Sequence, residues 1–318
     1  MSIKIQSQFV FWLLTILVTI LSIAGYFGRY NLYLEFASGY KLQLLITGLC
    51  ASIYFALTKK NRIIFAIALL CVVLNLAEIL PWYFHRPQIT NLENYQPLKV
   101  LSYNVLWSNQ QYDQAIALVT GQQPDIAVFQ EAQPPWSNAL TALKTDYPYH
   151  ISVPKLKIEV YSKLPLEHTR IKLYGTYRGL VISDLTIGDR QIKFIVTHAY
   201  PQLYYGREGW QIRNQHLEVG IGEYVGQLQQ PVIVIGDLNA SMWSPFYRSM
   251  IQTSDLVNAR QGFGIVPTQS AIAPQWKLLA APIDHCLISP EILVQNFRSG
   301  KNIGSDHLPI ITDLLIPN

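Results

Sequence analysis

The chain has 318 residues, half of them hydrophobic and only 14% charged, whereas soluble domains are about one-quarter charged; the length suits two units, and part of the chain belongs in lipid. Of the 24 Lys and Arg and 20 Asp and Glu, seven and three fall in residues 1–97, leaving 17 of each beyond, so the whole net charge of +4 sits in the first third. A formally neutral C-terminal unit lacks the global basic field of bulk nucleic-acid binding, although a local basic groove is compatible with it.

Residues 9–27, 42–57 and 63–83 are three apolar stretches in succession. The first and third have about the twenty residues needed to cross a hydrocarbon core, and the second is at the short end of the range. They are apolar all round and nearly free of charge, which favours spans over buried helices of a soluble domain. Pro81, Trp82 and Tyr83 close the third as an interfacial belt. Lys59, Lys60 and Arg62 crowd the short connection between the second and third stretches. The positive-inside rule puts that connection in the cytoplasm, and Lys4 with it, so the segment after the third span faces outward. Arg29 and Lys41 flank the opposite loop and narrow the margin. Lys4, the first apolar core and Ser22-Ile23-Ala24 also suit a signal peptide, with the same final orientation. The chain thus divides into a transmembrane region of about three helices at 1–84, a polar, proline-bearing linker at 85–97 and a larger C-terminal unit at 98–318. Cys50 and Cys71 lie in apolar runs and Cys286 is alone in the last unit, so that unit has no internal disulfide framework and no metal-type cysteine spacing.

From Leu98 onward short apolar runs alternate with turns. Strands are expected at 99–103, 126–129, 192–196, 232–235, 283–288 and 309–316, with helices at 112–121 and 212–227. Nearly every acid or histidine able to do chemistry stands at a strand terminus, where rigid elements meet the loops that build sites. Polar residues favour turns in any protein, so no one of them means much alone.

Together and in order, Ser102-Tyr103-Asn104-Val105, Phe129-Gln130-Glu131, Val196-Thr197-His198, Gly236-Asp237-Leu238-Asn239, Ile283-Asp284 and Gly304-Ser305-Asp306-His307-Leu308-Pro309 resemble the endonuclease/exonuclease/phosphatase family over about residues 98–318. Gly-Asp-x-Asn alone is a weak signal; followed by Ile-Asp and Ser-Asp-His-x-Pro it is a strong one. The resemblance implies a four-layer α/β sandwich of two packed mixed sheets, here preceded by the all-α transmembrane region. Two departures bear on substrate. Leu106 and Trp107 follow Asn-Val where relatives often carry Gly or an acid, and Ser162-Lys163-Leu164-Pro165 replaces a Ser-Arg-x-Pro, keeping charge but losing the bidentate fork.

Hydrolysing a phosphate ester requires neutralising phosphoryl charge, activating water and stabilising the leaving oxygen. Hard oxygen ligands suit Mg²⁺, with Mn²⁺ as an alternative. The resemblance implies Glu131 as the primary metal ligand; Asn104 through its carbonyl and Asp306 as a second carboxylate complete the expected set. It makes Asp237 the orienter or acceptor of the water's proton and Asn239 a donor to a phosphoryl oxygen. His307 would contact the phosphate, held by Asp284 in a carboxylate–imidazole pair, and His198 would add a second donor. Arg213 opens the helix after the Thr-His loop, where it would buttress the site or touch substrate. His285 points to the other face by alternation and is structural.

The aromatic residues of 199–210 and 242–247, Trp243 among them, would stack on bases, enter a membrane interface, or pack the domain edge. The expected function is membrane-anchored, Mg²⁺-dependent phosphoesterase activity on the extracytoplasmic side, periplasmic in a bacterium. Its substrate would be a lipid head group, a small phosphodiester or nucleic acid, and the expected partner is a lipid bilayer, with no obligate protein partner. An anchored nuclease and an inactive binding module of the same fold are the competing readings.

Overall fold

The computed structural model of the protein describes residues 3–84, 92–270 and 276–318. Helices α1 (Ile3–Ala24), α2 (Leu32–Ser38), α3 (Lys41–Thr58) and α4 (Arg62–Ile79) form the N-terminal region. Among the described residues, Phe9–Phe27, Lys41–Thr58 and Arg62–Tyr83 are long and apolar enough to cross a membrane. Asn61 starts α4 by accepting from the amides of Ile63 and Ile64, as an N-cap must. The short helix α2, absent from the expected elements, is set the same way, with Asn31 accepting from Tyr33 N.

The C-terminal unit follows as β1 (Tyr95–Asn104), α5 (Tyr112–Gln122), β2 (Ile126–Gln130), α6 (Trp136–Ala139), β3 (Tyr149–Val153), β4 (Ile158–Ser162), β5 (Leu166–Tyr174), β6 (Arg178–Ile187) and β7 (Arg190–His198). Then come α7 (Gly206–Gln215), a widened π-helical stretch at His216–Glu223, α8 (Tyr224–Gly226), β8 (Val232–Asp237), α9 (Pro245–Ser254), β9 (Val257–Asn258), β10 (Asp284–Ile288), β11 (Leu293–Ser299) and β12 (Ile310–Pro317). Residues 85–91 of the expected linker lie outside the described residues, and its last three residues are already strand, because Tyr95, Gln96 and Pro97 pair with Pro317, Ile316 and Leu315.

Two six-stranded sheets form, in the orders β11-β12-β1-β2-β4-β3 and β5-β6-β7-β8-β10-β9. Each is mixed, since β1 and β2 run parallel, as do β7 and β8, while the other pairs are antiparallel. Alternation along β1 sends Leu98 and Val100 inward against the second sheet, where they meet Phe194, Ile233 and Ile235. Leu101 and Tyr103 point outward to Ala115, Val119 and Trp136 of α5 and α6. The outer face of the second sheet carries Leu180, Ile195 and Val234 under Leu217, Ile221 and Met250. This is helix, sheet, sheet, helix, the sandwich expected from the motifs, and each apolar face has a partner.

That outer cluster continues without a break into Leu32, Leu45, Val72 and Ile79 of the N-terminal helices. Glu35 of α2 is the polar centre of the contact. It is 1% exposed and accepts from Arg213 Nη2, Ser244 Oγ and Trp210 Nε1. Trp243 Nε1 donates to the Glu78 carbonyl at 3.0 Å and Arg248 pairs with Glu78 at 2.5 Å. Breaking a buried pair from one side strands the other charge. Glu35→Ala should therefore destabilise the docked chain by about 3–5 kcal/mol, read as the unfolding midpoint of the detergent-solubilised protein. An unchanged midpoint would show that the pair contributes nothing to docking.

Candidate active site

The strand ends that carry the motifs lie side by side. His198 at the end of β7 is in register with Asp237 at the end of β8, and Asp237 with Asp284 at the start of β10. Across the sandwich Asn104 ends β1 beside Gln130. Ser305 Oγ donates to the Asn104 carbonyl at 2.8 Å and accepts from His307 N at 3.0 Å, which pins the 304–309 loop to β1. At Gly236 no side chain fits: its φ is +144° and an added Cβ would lie 1.9 Å from the Thr197 carbonyl. Glu131 and Asn239 take left-handed conformations just past their strands, φ +59° and +48°. Asn tolerates this readily; for Glu131 it is strain of the kind held at functional positions.

Asp237 Oδ2 is the focus. It accepts from Asn104 Nδ2 at 3.0 Å and Asn239 Nδ2 at 3.1 Å, while Oδ1 accepts from Asn239 N at 2.8 Å. His198 Nε2 and His307 Nε2 stand 3.6 and 3.7 Å from the same Oδ2. His307 Nδ1 meets Asp284 Oδ2 at 2.9 Å. Glu131 Oε1 is 3.9 Å from His198 Nε2, and its Oε2 accepts from Trp107 N at 3.3 Å. Asp306 Oδ2 accepts from Gln269 Nε2 at 3.2 Å. Asn104, Glu131, His198, Asp237, Asn239, Asp284 and His307 are thus brought together, with Asp306 at the rim.

Burial sets the charges. Removal from water raises the Asp237 carboxyl, His307 offsets part of this, and Asp284 adds to it. Asp284 is held low because its pairing with His307 outweighs burial. Burial opposes the His307 cation, but Asp284 and then Asp237 overcome it and raise its pKa. His198, fully buried and near Arg178, is pushed well below the usual histidine value and stays neutral; neither of its ring nitrogens has a hydrogen-bond partner among the described residues. Ligand atoms of Asp237, Asp284 and His307 also lie within 4.8 Å of one another. A cation there would compete with the His307 imidazolium.

Two of the expected substrate contacts belong elsewhere. Arg213 is fully buried, spends one side of its guanidinium on Glu35 and donates Nη1 to the Asn239 carbonyl at 2.9 Å. It holds the site's loop and does not reach substrate space. Trp243 is 4% exposed and bound to α4 through its indole; Phe246 packs edge-on against Trp210, and Tyr247 turns inward to Asn258 and His285. The residues missed from the sequence are Lys157 and Arg178, which line a cleft of about 460 Å³ with Glu131, Trp107 and Tyr204. Arg178 is nearly buried, with Nε unpartnered among the described residues. No sequence signal marked them; only the pairing of Gly179 with His198 brings Arg178 alongside.

His285 is structural, with Nδ1 on Asn258 and Nε2 on the Ala240 carbonyl. His216 meets Thr197 Oγ1 at 3.0 Å. Burial first, then Arg178 and Lys172, pushes His216 from 6.5 to about 3; burial and Arg260 bring His285 to about 3 as well. These folded-state values lie below the unfolded one, so unfolding takes up protons. The contribution is complete above about pH 6.5 and is lost as pH falls toward 3. The melting midpoint should drop steadily between about pH 7 and pH 4, and His216→Gln should flatten part of the slope. A midpoint that ignores pH over that window would contradict this.

The chain matches the model of the endonuclease/exonuclease/phosphatase family over residues 101–307. A search of curated proteins gives no match. Among solved structures it is similar to the endonuclease/exonuclease/phosphatase from Bacteroides vulgatus, at 17% identity and a TM-score of 0.57, covering 69% of this chain and 98% of that one. It is similar to D. rerio TDP2 complexed with single strand DNA product, at 15% identity and 0.56, covering 69% and 99%. The endonuclease/exonuclease/phosphatase from Beutenbergia cavernae is alike at 16% and 0.56, covering 70% and 72%. At these identities the likeness is one of fold.

Proposed function

Since this chain belongs to the endonuclease/exonuclease/phosphatase family, we propose that it is a membrane-anchored, divalent-metal-dependent phosphoesterase whose catalytic unit faces outward. The observation that carries the reading is the convergence of Asn104, Asn239, His198 and His307 on one oxygen of Asp237 beside the Glu131 carboxylate. Those donors are what a phosphoryl oxygen needs.

Glu131, Asn104 and Asp306 are the residues that would hold Mg²⁺ or Mn²⁺, and their hard oxygens fit such an ion. When bound, the metal supplies charge neutralisation at the phosphoryl and leaving oxygens. Asp237, raised toward neutral pH, orients water and accepts its proton. Asn104 and Asn239 fix the Asp237 carboxylate, and the Asn239 amide turns to a phosphoryl oxygen. His307, cationic against Asp284, donates to another. Neutral His198 donates from a ring nitrogen that has no other partner. The intact set speaks against an inert binding module.

Three apolar helices support the anchor. The catalytic unit packs on α2, the first turn of α3 and the end of α4, so the 59–62 connection lies at the opposite end of the helices. Arg29 is tied to Glu218 and Lys41 to the Ser22 carbonyl, whereas Lys59, Lys60 and Arg62 form no ion pair among the described residues. That leaves the positive-inside signal to the connection. A nuclease reading has one observation in its favour, the cleft with Lys157 and Arg178; nicking of DNA without turnover of other phosphoesters would establish it.

Turnover of bis(4-nitrophenyl) phosphate should vanish with EDTA and return with Mg²⁺ or Mn²⁺. Glu131→Gln and His307→Ala should each lower kcat/KM by about 10²–10³-fold; wild-type rates in both would refute the assigned roles. A C-terminal alkaline phosphatase fusion should be active in a bacterial host and a fluorescent-protein fusion dark, and the reverse pattern would put the unit in the cytoplasm.

A further inference from the structure

A second cavity, of about 440 Å³, adjoins the Glu131 cleft across the turn that carries Pro201 and Tyr204. Its walls come from both regions of the chain: Phe36, Gly39 and Tyr40 from the N-terminal side, Leu203, Ala281 and Ile283 from the catalytic unit. Its inner end is Asn239 and Gln269, the first bonded to Asp237 and the second to Asp306. No Lys or Arg lines it, and the Glu35 carboxylate in its wall is already engaged by Arg213, Trp210 and Ser244. Such a cavity offers nothing to a run of phosphates and suits hydrocarbon.

Its N-terminal wall, Phe36, Gly39 and Tyr40, lies just ahead of the first turn of α3. Gln43, in the first turn of α3, donates Nε2 to the carbonyls of Leu278 at 2.8 Å and Ala280 at 3.2 Å. Trp276 and Leu278 beside it are 65% and 60% exposed. Exposed Trp and Leu next to the first turn of a spanning helix suit the interface between water and acyl chains. Ala281, three residues beyond Leu278, forms part of the cavity wall.

We infer that this cavity takes the apolar chain of an amphiphilic phosphoester drawn from the bilayer, with the phosphate at the Asp237–His307 centre and the polar remainder toward Lys157 and Arg178. The inference rests on the phosphoesterase reading above and names its substrate class. The catalytic steps are unchanged; what the cavity adds is selection for a hydrocarbon tail, supplied by a pocket that exists only where the two regions meet.

The test uses the full chain in nanodiscs or micelles with Mg²⁺ or Mn²⁺. Probes are bis(4-nitrophenyl) phosphate, phosphatidylglycerol in long- and short-chain forms, and a polyprenyl phosphate, so that a diacyl lipid is distinguished from an isoprenoid one. At least one long-chain ester should exceed its short-chain or soluble counterpart in kcat/KM by about tenfold or more. Ala281→Phe and, separately, the surface change Leu203→Trp should remove that advantage while the soluble rate stays within about twofold. Turnover without chain-length dependence, or equal loss on both substrates in both variants, overturns the inference and leaves phosphoesterase activity standing. If no ester is hydrolysed, the phosphoesterase reading fails, and labelling by a diazirine-bearing phosphatidylcholine decides the pocket. Label at 36–40 or 201–204 that Ala281→Phe removes sustains it, and its absence ends it.

Discussion

A buried carboxylate from the N-terminal region, Glu35, meets a buried guanidinium from the catalytic unit, Arg213. Removing either partner would strand the other charge in so dry a place. Glu35 also takes the indole of Trp210 and the hydroxyl of Ser244, and Arg213 reaches on to the carbonyl of Asn239. The position of α2 and the position of a loop at the heart of the candidate site are therefore set by one polar cluster. Around it the apolar cluster runs unbroken from Leu45 and Val72 to Leu217 and Met250. The N-terminal helices are part of the outer layer of the sandwich and not a tether hung from it.

The same principle, burial forcing charges into pairs, organises the catalytic edge. Asp237, Asp284 and His307 lie close together and almost wholly out of water. Two carboxylates at that separation do not both ionise freely. Asp284 keeps its charge by pairing with His307, and Asp237 is left raised, with Asn104 and Asn239 fixing its orientation. A carboxyl group raised toward neutral pH thus stands next to a cationic imidazole and next to His198, which itself faces the partly accessible Glu131 carboxylate. Register enforces the arrangement, since a slip of one residue in β8 or β10 would turn Asp237 or Asp284 to the opposite face.

Much of this was legible in the chain. The spans differ by a residue or so from those read by hydropathy, because a run apolar on every side leaves no other state for a helix end to find. Six of the twelve strands, β1, β2, β7, β8, β10 and β12, were located because alternation and turn residues are local signals, while β3–β6, β9 and β11 were passed over; the motif residues came out at strand ends because those ends are what the motifs encode. The buttressing reading of Arg213 agrees with its bond to the Asn239 carbonyl, but the contacts that Arg213 and Trp243 make with the N-terminal helices were not legible, for one reason. Both lie near site motifs in sequence, and their partners, Glu35 and the Glu78 carbonyl, are more than 160 positions away. Helix α2 was passed over because seven residues of mixed polarity carry little periodicity.

The sequence by itself determined the class of the protein: apolar helices, then a two-sheet sandwich of the endonuclease/exonuclease/phosphatase family, with Asn104, Glu131, His198, Asp237, Asn239, Asp284 and His307 at strand ends. Strand period, turn chemistry and charge depletion are properties of neighbouring residues, so a linear reading captures them. Tertiary structure alone decided that Arg213 and Trp243 serve the junction, that Lys157 and Arg178 line the cleft, and that a cavity forms between the N-terminal helices and the C-terminal unit. Each of these depends on segments distant in the chain being packed together, and burial, which assigns the charges and the cavities, has no existence before that packing.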